Sequence, residues 1–487
     1  VGAGHPSDRL DRDLYKSMGL ERATYFDKQH FGKASLVRGG TTLGFDKAWL
    51  AQTPFSERVK ADLDRFVNGN EDYLPGMTPE QKVAALRAMS YRDYMLNCAK
   101  LHPDVVPLMR GIWCLGADMG SAWFAFFRMR PGFNGIGVPR PAYSPESPEQ
   151  EASDFQLPAG NSDLARLIVR DLIPDALPAG DFAQIQTART DYTTLDRPGQ
   201  KVRIRLSSIV TQVRHIAQDR RLFDPDDSEC QISYLNGDQL HSVMAKNVVM
   251  ACHNNIVPYL IPELPEDQKA ALHDSVRAVN QVTSVLFRNW EAFARLKLSG
   301  VDFPYTFYGS MGLSPQRYLG ALTPSRDPSE PMIISFNTGS NSGILSNEAM
   351  VAALTNGNSP APGTYVDDQF RIVRAALIQT PFETFERAVR TQAANALAGS
   401  GFDPARDILA ITVNRWGHGF TTGRDSLFQQ DRDTKVSPTV LAKQKFGRIS
   451  ICNSDAGAVS TCATAMDEAF RAVRDLEQRR LGYYEYI

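Results

Sequence analysis

The chain has 487 residues, 43% of them hydrophobic and 22% charged, with 53 Lys and Arg against 55 Asp and Glu for a formal net charge of −2. This length exceeds what one hydrophobic core usually holds, so two domains are expected. The even charge balance argues against a nucleic-acid footprint or a polybasic membrane-surface role.

At the start, residues 1–4 (VGAG) have the look of a dinucleotide-binding turn, in which Gly2 and Gly4 would let the backbone approach a pyrophosphate. The pattern is incomplete: no third glycine follows, and Pro6 breaks any helix beginning there. Residues 56–110 read as helical, with repeating apolar positions over 80–89 and 91–98 and punctuation by Pro103 and Pro107. The longest apolar stretch, 112–127 (IWCLGADMGSAWFAFF), is interrupted by Asp118 and short for a membrane span. It predicts a buried helix or a cavity wall, and neither a membrane span nor a signal peptide is expected. Residues 131–160, rich in Pro, Gly and Ser, form a loop that leads into a helix over 163–172, capped by Asn161, Ser162 or Asp163.

Alternating segments follow at 201–206, 209–215, 230–235 and 240–244, with Asn236-Gly237 as a hairpin turn. The apolar run 245–251 predicts a buried strand. Further strands are expected at 282–287, 303–308 and 332–337, then a helix over 382–398 and a returning strand over 408–414. Near the end, a short apolar strand (449–451) meets Asp455, small residues beginning with Ala456, and a helix over 463–476. Its apolar positions Ala465, Met466, Ala469, Val473 and Leu476 recur at helical spacing. The six cysteines are scattered, with no C-x-x-C and no Cys/His group at zinc spacing, so neither a disulfide framework nor a metal site is expected. The overall pattern is α/β plus α+β in two discontinuous domains, one made of residues 1–60, 151–265 and 405–487, the other of 61–150 and 266–404.

Four separated segments resemble, in order, those of the flavin amine oxidase superfamily: 157–160 (LPAG) before a helix, 206–210 (LSSIV), 245–252 (AKNVVMAC) and 448–476. Longer runs resemble the bacterial spermidine dehydrogenase family: 13–20 (DLYKSMGL), 72–76 (DYLPG), 258–265 (PYLIPELP), 380–387 (TPFETFER), 401–408 (GFDPARDI) and 414–419 (NRWGHG). The resemblance covers residues 11–476 and implies a two-domain flavin amine oxidase fold, with a Rossmann-like FAD domain and a mixed-sheet, helical substrate domain. It implies FAD held by Gly2, Gly4, Val210, Asp455, Ala456, Ala465 and Met466, with Gly160 close to the flavin on the substrate side. It departs from the superfamily in its incomplete phosphate fingerprint and in having no lysine from 271 to 290.

The activity so implied is oxidation of a polyamine such as spermidine: hydride leaves the α-carbon for flavin N5, and water hydrolyses the imine. Trp416 and His418 are the candidates for the catalytic wall beside the flavin, against the alternative of a packed core Trp and a hydrogen-bonded His. The distal ammonium groups of a polyamine call for carboxylates, and Glu383, Glu386, Asp118 and Asp425 are available; the first two share a helix face. A monoamine or other superfamily substrate, and a flavin-free binding protein on the same fold, stay as alternatives. A haem is compatible with the family, although no C-x-x-C-H motif is present. The electron acceptor is open, and the resemblance points to the periplasm, with the cytoplasm as the alternative.

Overall fold

The computed structural model describes residues 9–11, 13–39, 46–109, 115–140, 160–178, 184–216, 228–314, 316–318, 325–338, 343–422, 427–429 and 437–481. Gly2, Gly4 and Asp425 lie outside the described residues, as does 157–159 of the 157–160 loop. In chain order the strands are β1 (Arg9–Asp11), β2 (Glu21–Phe26), β3 (Ser35–Arg38), β4 (Ser208–Ile216), β5 (Glu229–Asn236), β6 (Gln239–Ala245) and β7 (Val248–Met250). They continue with β8 (Arg277–Phe287), β9 (Leu298–Asp302), β10 (Ser310–Leu313), β11 (Gln316–Tyr318), β12 (Met332–Asn337), β13 (Ile408–Thr421) and β14 (Ile449–Ile451).

A seven-stranded sheet in the order β13-β8-β12-β10-β9-β2-β3 forms the centre of the larger region. Its neighbours are antiparallel except β2 and β9. β8 alternates buried and half-buried residues from Val279 to Phe287, so one face is committed to the core and the other is partly covered. Phe287, Ile334, Phe336, Val301 and Met311 from four strands join the main hydrophobic cluster. Helices packed on it bring Leu63, Phe66, Phe370, Val373, Phe385 and Val389. Side chains cap several helix starts: Thr78 and Gln81 form a reciprocal capping box, and Ser121 Oγ accepts from the Phe124 N–H at 3.1 Å.

Strands β2, β3 and β13, expected with residues 151–265, run instead in the same sheet as the strands of 266–404. Backbone pairing decides this: β13 follows β8 from Ile408–Phe287 to Thr421–Arg277. The smaller region holds a three-stranded antiparallel sheet, β4-β5-β6, and a parallel pair, β14-β7. His215 ties β4 to the start of β14. Its ring is buried, Nε2 accepts from the Arg448 N–H at 3.1 Å, and Nδ1 therefore carries the proton facing Glu263 Oε1 at 2.7 Å.

Several expected elements differ in detail. Residues 201–206 are not a strand, because Arg203 and Arg205 both turn back onto Asp196. Residues 303–308 are irregular, and Pro304 interrupts the run. The hairpin turn is Gly237-Asp238, with Asn236 paired to Gln239, and Gly237 takes the positive φ of 59°. The helix Asn161–Leu172 is preceded by Gly160 with no side-chain cap, and Asp163 is buried within its first turn.

Candidate functional site

The geometry converges where β13 departs from regular pairing. Trp416 lies opposite Asn280 and Phe420 opposite Ala278, so three residues, Gly417-His418-Gly419, face the single residue Val279. Such a bulge re-aims side chains at the edge of a sheet. Both glycines stand at a close approach, the tighter one at Gly419. A Cβ at Gly419 would stand 2.9 Å from Asn280 Cβ, and one at Gly417 would stand 3.1 Å from Arg374 Cγ.

This bulge abuts the ends of the parallel pair. β7 and β14 finish side by side, with the Cys452 N–H donating to the Met250 carbonyl at 2.9 Å. The segments that follow them are knit together. Asn453 donates its side-chain amide to the Cys252 carbonyl, and its Oδ1 accepts from the N–H groups of Asp455 (2.7 Å) and Ala456 (3.0 Å). Asp455 is buried, with Oδ2 accepting from the Asn254 N–H at 3.1 Å and Oδ1 ion-paired to Arg277 at the start of β8. Arg277 also donates Nε to the His418 carbonyl at 3.2 Å. Across the gap, the rings of His418 and His253 stand 6.0 Å apart.

Both imidazoles are held below the ordinary histidine value. At His253 burial is the main cause, with Arg277 adding to it and Asp455 opposing. At His418 burial is again first, followed by Arg374, His253 and Arg277, with Asp367 opposing. Near neutral pH the pair is therefore uncharged, able to accept a proton or a hydrogen bond. Burial also raises the thiols of Cys252 and Cys452, which keeps them protonated and unreactive.

The expected site residues divide into two groups. Trp416, His418, Asp455 and Ala456 gather at this junction, Trp416 with 45% of its surface exposed and Ala456 buried. Val210 lies elsewhere, half-exposed on β4 beside a bulge. Gly160 stands exposed at its helix start with a φ of 68°. Ala465 and Met466 are on the helix Cys462–Leu481, whose expected apolar stripe does not face inward. Met466 is 56%, Phe470 68% and Val473 47% exposed, while the buried positions are Glu468 and Ala472. Glu468 is taken up by Lys443 (2.6 Å) and Arg471 (2.7 Å), and Arg471 reaches the Ile451 carbonyl, which docks the helix on β14 by its polar side.

Among the foreseen carboxylates, Glu383 is exposed and Glu386 is bound by Arg390 at 2.8 Å on the same helix. Asp118 lines a cavity of about 440 Å³ together with Asp104, Glu348, Arg92 and the stacked pair His30 and Tyr305. Arg92 is engaged with Glu348 at 2.8 Å, and Asp118 accepts from Gln369 at 3.2 Å. Val106, Pro107, Pro304 and Leu345 supply apolar wall between the acids. Gln369 and Arg374, five residues apart on the helix Val366–Gln379, link this cavity to the bulge. His253, Asn254, Arg277 and Arg374 escaped sequence reasoning. Only His253 and Asn254 left a signal, since they directly follow a predicted buried strand.

Among the described residues, no helix is long and apolar enough to cross a membrane, and no three His, Cys, Asp or Glu side chains gather as a metal site. No protein-family model and no curated protein matches the sequence. Solved structures do align along nearly the whole chain. A putrescine oxidase variant with redesigned cofactor binding is 12% identical with a TM-score of 0.48, over 98% of this chain and 88% of that one. Wild-type putrescine oxidase bound to putrescine is 11% identical with a TM-score of 0.46, over 98% and 88%. Cyclohexylamine oxidase from Brevibacterium oxydans IH-35A is 12% identical with a TM-score of 0.41, over 99% and 90%. At these identities and scores the likeness by itself carries no argument about activity.

Proposed function

We propose that this protein is an FAD-dependent amine oxidoreductase on a flavin amine oxidase fold, and that its substrate is a polyamine of the spermidine class. The observation that carries the reading is the junction itself. A neutral imidazole, on a bulged strand of one sheet, faces His253 just past the end of β7, and Arg277 ties that strand's bulge to Asp455 just past the end of β14; Trp416 stands at the start of the same bulge. The carboxyl ends of parallel strands are where open α/β sheets receive ligands.

The residues there fit a large polar cofactor. Asn254 Oδ1 and Ser450 Oγ are buried and have no hydrogen-bond partner among the described residues, a state that a ligand's polar groups would relieve. Ala456, fully buried beside Asp455, belongs to the frame of the site. The Asp455 carboxylate itself is committed to Arg277 and Asn254, so its part is to frame the site. When bound, FAD supplies the acceptor for the hydride that leaves the amine's α-carbon. Trp416 excludes water and orients the carbon. The uncharged His418 and His253 avoid repelling an ammonium group and can accept a hydrogen bond from the amine, which reacts in its neutral form after losing its proton to water. Asp118 and Asp104, in their partly apolar cavity, are the carboxylates offered to the distal ammonium.

The test is purification of the protein and its visible spectrum, followed by anaerobic addition of spermidine, putrescine and butylamine. Bleaching by the polyamines, faster than by butylamine, is expected. A flavin that none of the amines reduces would sink the amine assignment.

A further inference from the structure

The bulge that presents Trp416 and His418 is held by two guanidinium groups. Arg374 donates Nε to the Gly417 carbonyl at 2.7 Å and Nη2 to the Arg277 carbonyl at 3.4 Å, and its aliphatic stem lies on the bare Cα of Gly417. Arg277 donates Nε to the next carbonyl, that of His418, and Nη1 to the buried Asp455. Consecutive carbonyls of an irregular strand are thus each fixed by a different arginine, and one arginine is anchored beyond the end of β14. A bulge disrupts the ladder that would otherwise pair such carbonyls, and these two guanidinium groups supply partners to the carbonyls of Gly417 and His418.

We infer that Arg374 and Arg277 are positioning residues, which set where Trp416 and His418 stand relative to the ends of β7 and β14. In its catalytic consequence this rests on the amine-oxidising reading above. In its structural consequence it does not. A planar guanidinium meets two acceptors at once, whereas a lysine at 374 offers a point donor that satisfies the Gly417 carbonyl alone.

The experiment uses Arg374→Lys, Arg374→Ala and Gly417→Ala in the full chain, the last keeping both arginines while crowding the Arg374 stem. The first readout is independent of cofactor and turnover: the imidazole NMR signals of His418, assigned with His418→Gln. They are expected to move in all three variants while those of His241, on the distant β6, stay in place. The second is steady-state oxidation of spermidine. Misplacement of a wall residue is expected to lower kcat by about 10- to 100-fold with a much smaller change in KM, and guanidinium ion should restore part of the rate to Arg374→Ala. His418 signals that match the wild type in Arg374→Ala would overturn the inference. If the wild type holds no flavin and oxidises no amine, the amine reading falls, and the His418 signals still decide the positioning role. Should Arg374→Ala fail to fold, Gly417→Ala supplies the same decision.

Discussion

Along β8, β12 and β10 the large side chains turn into a shared core, whereas β6 and the Cys462–Leu481 helix turn apolar residues outward. Phe336, Phe287 and Met311 are all but fully buried in the first region; Leu240, Val243, Met244, Phe470 and Val473 are exposed in the second. The contrast follows from the sheets. Seven mostly antiparallel strands can cover both faces with their own helices. A lone parallel pair is not a stable unit, because parallel sheets are ordinarily buried on both faces. In the smaller region Val213, Cys230, Met250, Ile449 and Ile451 of the strands share a small core with Leu264 and Leu272, and polar ties add to it: His215 to Glu263 and Arg448, Arg471 to Ile451, and Asp455 to Arg277 across to the large sheet. The larger region is held by one extensive core, the smaller by a small core supplemented by hydrogen bonds and ion pairs. The candidate site lies on the seam between them.

The sharpest way to break this comparison is at the seam. Asp455→Ala leaves Arg277 buried without its carboxylate, and the expected loss is about 3–5 kcal/mol of stability, read by urea unfolding. A loss below about 1 kcal/mol would mean that the pair is solvated in solution and does not join the regions. Paired truncations then compare the two regions directly. Phe336→Ala in the core should cost about 3–5 kcal/mol, whereas Phe470→Ala on the exposed helix face should stay within about 0.5 kcal/mol. A cost above about 2 kcal/mol for Phe470→Ala would show that this face is covered in solution.

How much of this was legible in the sequence follows the same division. The strand predicted at 332–337 is β12 residue for residue, and the helix predicted over 382–398 is observed as Phe382–Ala396. Both are elements whose apolar period is answered by the core. Trp416 and His418 were readable as a pair of functional side chain types after a strand, but the bulge that aims them was not. It depends on a pairing offset with β8 that no local pattern encodes. The helix at 463–476 was also found, yet its apolar stripe was expected inward. Glu468, with Lys443 and Arg471 around it, takes the inner side instead, a contact between residues up to 28 positions apart that periodicity cannot foresee. Arg277 and Arg374 read as ordinary charges until the fold buries the first, half-buries the second and sets both against carbonyl groups.

A smaller effect is expected from the substrate. If Asp118 or Asp104 receives a distal ammonium, spermidine should exceed butylamine in kcat/KM by roughly tenfold to a hundredfold, about 1.5–3 kcal/mol. Asp118→Asn should erase most of that margin without altering butylamine turnover. An unchanged spermidine preference would remove the cavity from the substrate path.

The smallest effect concerns pH. In the folded chain His253 and His418 lie below the ordinary value of 6.5, so the unfolded state binds protons more readily than the folded one. Their contribution to stability is complete above about pH 6.5 and is lost as pH falls through the folded values. Thermal melts between about pH 7 and pH 5 should show a decline that the His253→Gln, His418→Gln double variant partly removes. An identical decline in that variant would place the sensitivity elsewhere.

The central claim, that the seam holds a flavin which amines reduce, is tested most directly by one anaerobic titration. Protein purified from cells is expected to show the visible bands of oxidised flavin, which spermidine bleaches in proportion to added amine. The same protein without any visible absorbance, even after refolding in the presence of FAD, would contradict the account.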